Sequence, residues 1–319
     1  MRSGIGTVPG MRPPGRQKGA SGGWQKRAGM ERMICVDRHP LSVRTMKEVS
    51  PLEIYNEYHD DVQAIFRSRL LTQVMIALGS GSKPLSTLRD ITGSSSQALI
   101  PKIRYLEGLH YVESIRGDYA LTPMGRLVEP KIERVVMLMG VLQRHRDFWI
   151  EHDIQGIPPA FLDELEHLYN IEIVKDVEEN IFAVYTVFQS ILRKASWIHG
   201  VSSIMSPVHV DAIKEAAIGS TAIELVVSEE IARGLVSGPY DTVLETLKRC
   251  KKFRIYVSPS PIRLGMTVTD GYLSLGLYRR DTDKYDTTTD LISTDAAAVS
   301  WGERLFQHYK ADARPLKLP

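Results

Sequence analysis

The stretch that decides the fold is residues 93–108, GSSSQALIPKIRYLEG. Its apolar residues Leu99, Ile103 and Leu106 recur at the spacing of one helix face. The glycine and serines that open the stretch predict a turn and a helix N-cap, and the closing Gly108 fits a left-handed C-cap. The stretch therefore predicts a helix with one buried stripe, entered through a turn.

The segments on either side of this helix predict a winged helix-turn-helix. A helical run of apolar residues over 62–78 and a short helix over 83–91 precede it. After it, residues 111–115 alternate like a strand, and residues 119–121 return after a tight turn. In a winged helix of this order the third helix enters the major groove of DNA.

The face of the third helix opposite its apolar stripe suits DNA. Gln97 can read an adenine edge and Arg104 a guanine edge. The serines and Lys102 suit phosphate contacts, and Arg116 in the hairpin turn could reach a phosphate or the minor groove. Pro101 removes one helix hydrogen bond and can bend the helix. The predicted DNA-binding residues are Ser94, Ser95, Ser96, Gln97, Pro101, Lys102, Arg104, Tyr105 and Arg116.

Strands and helices alternate after about residue 195, which predicts an α/β layer domain with a partly parallel sheet. The predicted segments are strands at 197–201, 222–227 and 253–257, helices at 207–217 and 241–248, further strands within 264–278, and a final helix over 295–309.

The whole chain is predicted to be a mixed α+β / α/β protein in four segments. Residues 1–45 are a disordered basic tail or a leader from an over-long start assignment, because a segment of this composition cannot bury a core. Residues 46–126 are the winged helix-turn-helix, and residues 127–190 are a helical linker that forms a dimer. Residues 191–319 are a sandwich-like α/β regulatory domain that senses a ligand.

Short motifs follow one another through the second half of the chain. They are FWIEHD (148–153) running into GIP (156–158), IHGVS (198–202), VTDG (268–271), YD (285–286), DL (290–291) and WGERLFQHY (301–309). In these motifs the chain resembles the archaeal winged-helix transcriptional regulators of the methanogenesis-regulator type. The resemblance covers nearly everything after residue 60. It implies a regulator whose second domain senses a signal or mediates assembly.

A ligand cleft is predicted at the carboxyl ends of the parallel strands. Serines near Pro259 could instead form a turn, and the aspartates could be helix caps. The candidates are His199, Ser202, Ser228, Ser258 and Ser260 after strands, and Asp270, Tyr285, Asp286 and Asp290 in connections near the C-terminal strands.

Catalytic residues, cofactors and metal sites are not predicted. After residue 126 the sequence has no Gly-x-Gly loop for a methyl donor or a nucleotide, no Gly-x-Ser-x-Gly elbow and no His-Glu-x-x-His zinc helix. A phospholipase-D-like layout fits the alternation, but its catalytic pair, a histidine and a lysine two residues apart, is missing at His199 and His209. With only Cys35 and Cys250, the chain cannot form a disulfide framework, and a cytoplasmic setting is favoured. A membrane span is excluded because no run approaches ~20 apolar residues.

The sequence therefore predicts a cytoplasmic transcriptional regulator that binds double-stranded DNA as a homodimer. The net charge of +2 requires the DNA site to be a local patch. A small-molecule effector would bind the C-terminal domain and shift the arrangement of the two recognition helices. The alternative is a winged-helix module that contacts protein and has no specific affinity for DNA.

Overall fold

The structure, a computed structural model, describes residues 49–219, 221–237 and 241–316. The predicted tail, residues 1–45, lies outside these ranges. The described residues from Tyr58 onward form one compact unit, and residues 49–57 fall outside it. Within the described ranges, no helix is both long and apolar enough to cross a membrane.

Helices and a small antiparallel sheet make up the N-terminal part. The helices are α1 (Pro51–Arg67), α2 (Arg69–Gly79), α3 (Leu85–Thr92) and α4 (Ser96–Gly108), and the strands are β1 (Lys83–Pro84), β2 (Val112–Ile115) and β3 (Asp118–Leu121). The strands pair in the order β1-β3-β2. The order of α3, α4 and the β2–β3 hairpin is the predicted one.

Helix α4 begins and packs as its sequence predicts. The Ser95 side chain accepts a hydrogen bond from the Ala98 amide at 3.3 Å, which caps the helix. Leu99, Ile103 and Leu106 are buried in one core with residues of α2 and α3. In the hairpin, Arg116 and Gly117 both have positive φ, as the central residues of a tight hairpin turn require.

Three local predictions for this part are wrong. The helical run over 62–78 is broken at Ser68, whose hydroxyl accepts from the Leu71 amide and starts α2 as a separate helix. Residues 83–84, predicted as helix, form β1, because they pair with the hairpin strand β3. The left-handed residue after α4 is His110, with φ of 59°, and not Gly108.

A long helix joins the two halves of the chain. His145 separates this helix, α5 (Pro123–Arg144), from the short helix α6 (Arg146–Glu151). His145 leaves helical geometry, and its ring bonds the Ile171 carbonyl at 2.9 Å. Ile132 of α5 is buried in the core around α4, whereas Val141 is buried in the core of the C-terminal part. Helix α5 therefore contributes buried residues to both hydrophobic cores.

The C-terminal part is built on one mixed sheet. Its elements are β4 (His152–Asp153), α7 (Pro159–Leu162), a 3-10 helix (Leu165–Leu168), β5 (Glu172–Lys175), α8 (Ala183–Lys194), β6 (Trp197–Ser202), α9 (Pro207–Ile218), β7 (Ala222–Val227), α10 (Glu229–Ser237), α11 (Asp241–Lys248), β8 (Phe253–Val257), β9 (Leu264–Thr269), β10 (Leu273–Arg279), β11 (Thr289–Ser293), α12 (Ala296–Ala311) and β12 (Arg314–Pro315). The order is β12-β8-β7-β6-β9-β10-β11-β5, and β4 pairs with β10. The β6–β7 and β7–β8 pairs are parallel, so the predicted partly parallel sheet is confirmed.

Helices cover both faces of this sheet. On one face, Val201, Val226 and Met266 share a core with Trp301 and Phe306 of α12. On the other face, alternate strand residues share a core with α8, α9, α10 and α11; they include Ile198, Ile223 and Ile255. Strands β5 and β11 were not predicted. Asp290, which was predicted to lie in a connection, is therefore found within strand β11.

Candidate functional site

The outward face of α4 is exposed over its length. Gln97, Pro101, Arg104 and Tyr105 are exposed, opposite the buried stripe of the same helix. Helix α4 continues through Pro101 without a break. At the tip of the neighbouring hairpin, Arg116 is exposed as well. The structure therefore presents a guanidinium, an amide and a phenol on one helix face.

The predicted phosphate-binding residues already have structural roles or partial burial. Ser95 caps α4, and the Ser94 hydroxyl donates to the Thr92 carbonyl at 3.4 Å. Ser96 and Lys102 are half-buried. A capping hydroxyl accepts through one lone pair and keeps its proton to donate, so Ser95 can still donate to a phosphate oxygen. Contact of these residues with DNA stays a prediction.

A cavity of about 170 Å³ lies on the sheet face covered by α8, α9 and α10. Most of its wall is apolar, with Phe188 from α8, Ile213 from α9 and Ile231 from α10 facing Leu225 and Phe253 of the sheet. Polar side chains collect where β9, β10 and β11 border it. They are Thr267, Ser274, Tyr285, Asp286, Thr289 and Asp290.

Two glycines shape the polar end of the cavity. Gly265 of β9 and Gly276 of β10 are paired across the strands. A Cβ atom on either residue would overlap the hydroxyl of Tyr285, which comes from the loop after β10. The missing side chains thus make room for the Tyr285 ring against the sheet. Burial and the nearby charges of Asp290 and Asp286 raise the pKa of Tyr285 well above its ordinary value, so its hydroxyl stays protonated.

Asp286 is held in a buried ion pair. Its Oδ2 accepts from His152 Nε2 at 3.1 Å, and its Oδ1 accepts from the amide and hydroxyl of Thr288. His152 Nδ1 faces the Phe148 carbonyl at 2.8 Å, so both ring nitrogens face acceptor oxygens. Burial raises the pKa of Asp286, but the hydrogen bonds from His152 and Thr288 outweigh it and hold the pKa well below its usual value.

Asp290 has the opposite environment. Its Oδ2 accepts from the Ser274 hydroxyl, and its Oδ1 is buried without a hydrogen-bond partner. Burial raises the pKa of Asp290 to about 7, although the Ser274 hydrogen bond acts against the shift. Near neutral pH this carboxyl therefore exchanges readily between its acid and its ionised form.

The cavity brings together four of the nine predicted ligand residues, namely Ser202, Tyr285, Asp286 and Asp290. His199 lies on the other sheet face, stacked on Phe306 with its Nδ1 2.7 Å from Glu303. Asp270 accepts from the amide and hydroxyl of Ser196, and these bonds lower its pKa.

The predicted serines at the ends of β7 and β8 have local roles. Ser228 accepts from the Ile231 amide at the start of α10, and the Ser258 hydroxyl donates to the Ser260 carbonyl within a turn. The turn alternative raised for the serines near Pro259 is therefore the arrangement observed. Neither Ser228, Ser258 nor Ser260 lines the cavity.

Sequence reasoning missed several lining residues, among them Ser274, Thr267, His209 and Phe188. The available signal was a glycine in the interior of each of two apolar strands, Gly265 and Gly276. Such a glycine often marks a place where another group approaches the strand closely.

Within the described ranges, no cluster of histidine, cysteine and carboxylate side chains is suited to hold a metal ion. The half-buried Cys250 donates to the Thr246 carbonyl at the end of α11.

Comparison with known proteins gives two matching family models. One, described as the N-terminal domain of methanogenesis regulatory protein FilR1, matches residues 59–142. The other, described as the middle domain of the same protein, matches residues 181–312. The methanogenesis regulatory protein FilR1 of Methanothrix harundinacea (strain 6Ac) is 26% identical over 264 residues, which are 80% of this chain and 58% of that protein. This chain therefore spans little more than half the length of that relative.

Two solved structures are similar at a low level. The archaeal chromatin protein TrmBL2 is 14% identical with a TM-score of 0.36, over 82% of this chain and 100% of that chain. The phospholipase D family member NUC from Salmonella typhimurium is 14% identical with a TM-score of 0.34, over 46% of this chain and 96% of that chain. Neither likeness bears on function.

The two family models together match more than half of the sequence, and the chain belongs to the family of the archaeal methanogenesis regulatory protein FilR1.

Proposed function

We propose that this chain is a transcriptional regulator that binds duplex DNA through a winged helix-turn-helix, residues 46–126. The observation that carries the proposal is the exposed face of α4, which presents Gln97, Arg104 and Tyr105, together with the exposed Arg116 at the hairpin tip. A helix of this width fits the major groove, where glutamine and arginine distinguish base edges. The family membership supports a regulatory role.

The second half of the proposal is that residues 191–319 modulate DNA binding when a small molecule occupies the cavity. Asp286 borders the cavity and is bonded to His152, whose ring stacks on Phe148 with centroids 4.1 Å apart. Phe148 belongs to α6, directly after α5, and α5 is buried in both cores. Residues 127–190 would thus transmit a change at the cavity to the winged helix. A ligand shifts this equilibrium only by binding the two arrangements with different affinity.

The test is fluorescence anisotropy of the chain with DNA from upstream of its own gene and with random duplex, at two salt concentrations. Tighter binding to the upstream DNA, weakened by salt, is expected because phosphate contacts release counterions. Arg104→Ala should weaken binding to the upstream DNA by roughly 1–3 kcal/mol if it contacts a base. Arg254→Ala, which removes an exposed arginine from β8 outside the linker and the cavity, is the matched control.

Each outcome separates the two candidate functions. Loss of preference for the upstream DNA in Arg104→Ala, with binding by Arg254→Ala intact, supports base recognition by α4. Equal and feeble binding of the wild-type chain to all duplexes would favour the protein-contact module instead.

A further inference from the structure

When Asp290 is ionised, the described wall of the cavity carries a negative charge without a cationic partner in the lining. Among the described residues that line it, none is a lysine or an arginine. Burial lowers the pKa of His209, which keeps this lining imidazole neutral near pH 7. Asp286 is paired with His152, so Asp290 contributes the remaining charge when it is ionised. An anionic ligand such as a phosphate or a carboxylate would meet repulsion and no cationic partner.

Asp290 also has an unused acceptor. The residue is 7% exposed, and its Oδ1 has no hydrogen-bond partner, whereas its Oδ2 is bonded to Ser274. Oδ1 would lie 3.2 Å from a Cβ atom on Gly276, so it sits on the sheet face beside the space that the Tyr285 ring occupies. A buried carboxylate oxygen without a donor is unfavourable, and a ligand that supplies a charged donor removes this penalty.

The rest of the wall fits a hydrocarbon body of modest size. Phe188, Tyr185 and Phe253 supply aromatic surface, and Leu225 and Ile231 supply aliphatic surface. The volume of about 170 Å³ is close to that of an engineered apolar cavity of ~150 Å³ that binds benzene. Aromatic walls also favour a cation over a neutral head group.

We propose that the cavity binds a small protonated amine, with its ammonium paired to Asp290 beside Tyr285 and its hydrocarbon part against the aromatic and aliphatic wall. The inference rests on the proposed function, for which it names the chemical class of the effector. The same geometry disfavours nucleotides, sugar phosphates and fatty acids, because each of these carries negative charge.

Isothermal titration calorimetry of the full chain near pH 8 tests the proposal with three compounds of one shape: benzylamine, benzyl alcohol and benzoate. Benzylamine should bind roughly ten- to hundredfold more tightly than either of the others, the range expected for one charge-assisted hydrogen bond. Benzyl alcohol or benzoate binding as tightly as benzylamine would overturn the assignment, as would the absence of heat with all three.

Two variants test whether Asp290 is the residue that binds the ammonium group. Asp290→Asn keeps the shape of the side chain and should reduce benzylamine binding to the level of benzyl alcohol. Asp312→Asn, an exposed aspartate at the end of α12, should bind benzylamine like the wild-type chain. Unchanged binding by a folded Asp290→Asn variant would overturn the proposal. DNA binding measured on the same samples separates the two hypotheses: DNA binding without amine binding rejects only the ligand class.

Discussion

Asp286 and Asp290 are four residues apart, yet the fold shifts their protonation in opposite directions. Asp286 receives hydrogen bonds from His152 and Thr288, whereas Asp290 keeps one oxygen unpaired. Both carboxyls are buried, so burial alone does not explain the difference. The number of donors facing each carboxylate decides it.

Asp290→Asn should stabilise the protein at alkaline pH. The pKa of Asp290 is about 7 in the folded state against 3.8 for the ordinary side chain, so the folded state binds a proton that the unfolded chain has lost. The contribution of Asp290 to the free energy of unfolding therefore falls as pH rises from about 4 to about 7 and is constant above that range. We expect a gain of about 2–4 kcal/mol in the free energy of unfolding near pH 8 and a much smaller gain near pH 4.5.

Urea denaturation at the two pH values measures this effect, with Asp312→Asn as a control without a pH-dependent change. A less stable Asp290→Asn variant near pH 8 would contradict the unpaired environment of this carboxyl.

Asp286→Asn should have the opposite effect. Its pKa is depressed in the folded state, so its stabilising contribution is complete above the ordinary pKa of 3.8 and disappears as pH falls through the lower folded value. Removing the charge leaves His152 buried without its carboxylate, which costs about 3–5 kcal/mol for a buried pair. Urea midpoints near pH 7 measure the loss; a midpoint equal to that of the wild type would show that the pair contributes nothing.

At the scale of single elements, α4 combines a structural start with a proposed recognition surface. Its cap, Ser95, was predicted both as a cap and as a phosphate contact, and the structure shows the cap bond. The two roles can be separated by experiment, because a cap stabilises the helix with or without DNA, whereas a phosphate contact exists only when DNA is bound.

Ser95→Ala should reduce the free energy of unfolding by about 1 kcal/mol in the absence of DNA. Ser96→Ala is the matched control, since Ser96 is the first residue of α4 and alanine favours a helix there. Thermal unfolding followed by circular dichroism compares the two variants. Equal stability of both would show that the Ala98 amide finds another acceptor.

The exposed apolar residues of α5 bear on the assembly of the whole molecule. Val135, Val136 and Met139 are exposed on this helix, within the region predicted to form a dimer. A homodimer would place two copies of α4 on paired half-sites in DNA.

We expect sedimentation equilibrium to give a mass twice the 35.9 kDa of the chain. Met139→Glu should shift the protein towards the monomer, because an ionised carboxylate is costly to bury in an apolar contact. Glu230→Lys, on the exposed surface of α10 outside this region, should remain dimeric. A wild-type mass equal to one chain would refute the dimer.

The elements with regular local patterns were predictable from the sequence. Leu99, Ile103 and Leu106 repeat with the period of a helix, and the alternating apolar runs of β6, β7 and β8 mark a layered sheet. Strand β11 was not predicted, because it begins with Thr289 and Asp290 and its polar residues become buried only beside β10 and β5. Strand β1 was missed since two residues form a strand only where a partner, here β3, is already in place.

The sequence by itself determined the helix–hairpin order of the N-terminal part and the alternation of the C-terminal part, since both depend on the spacing of neighbouring residues. Tertiary structure alone decided which polar residues share a site. It brought Ser202, Tyr285 and Asp290 to one cavity, and left His199, Ser258 and Asp270 with hydrogen-bond partners outside it. The reason is physical: burial and hydrogen-bond partners come from strands far apart in the chain, and no local spacing encodes which of them will meet.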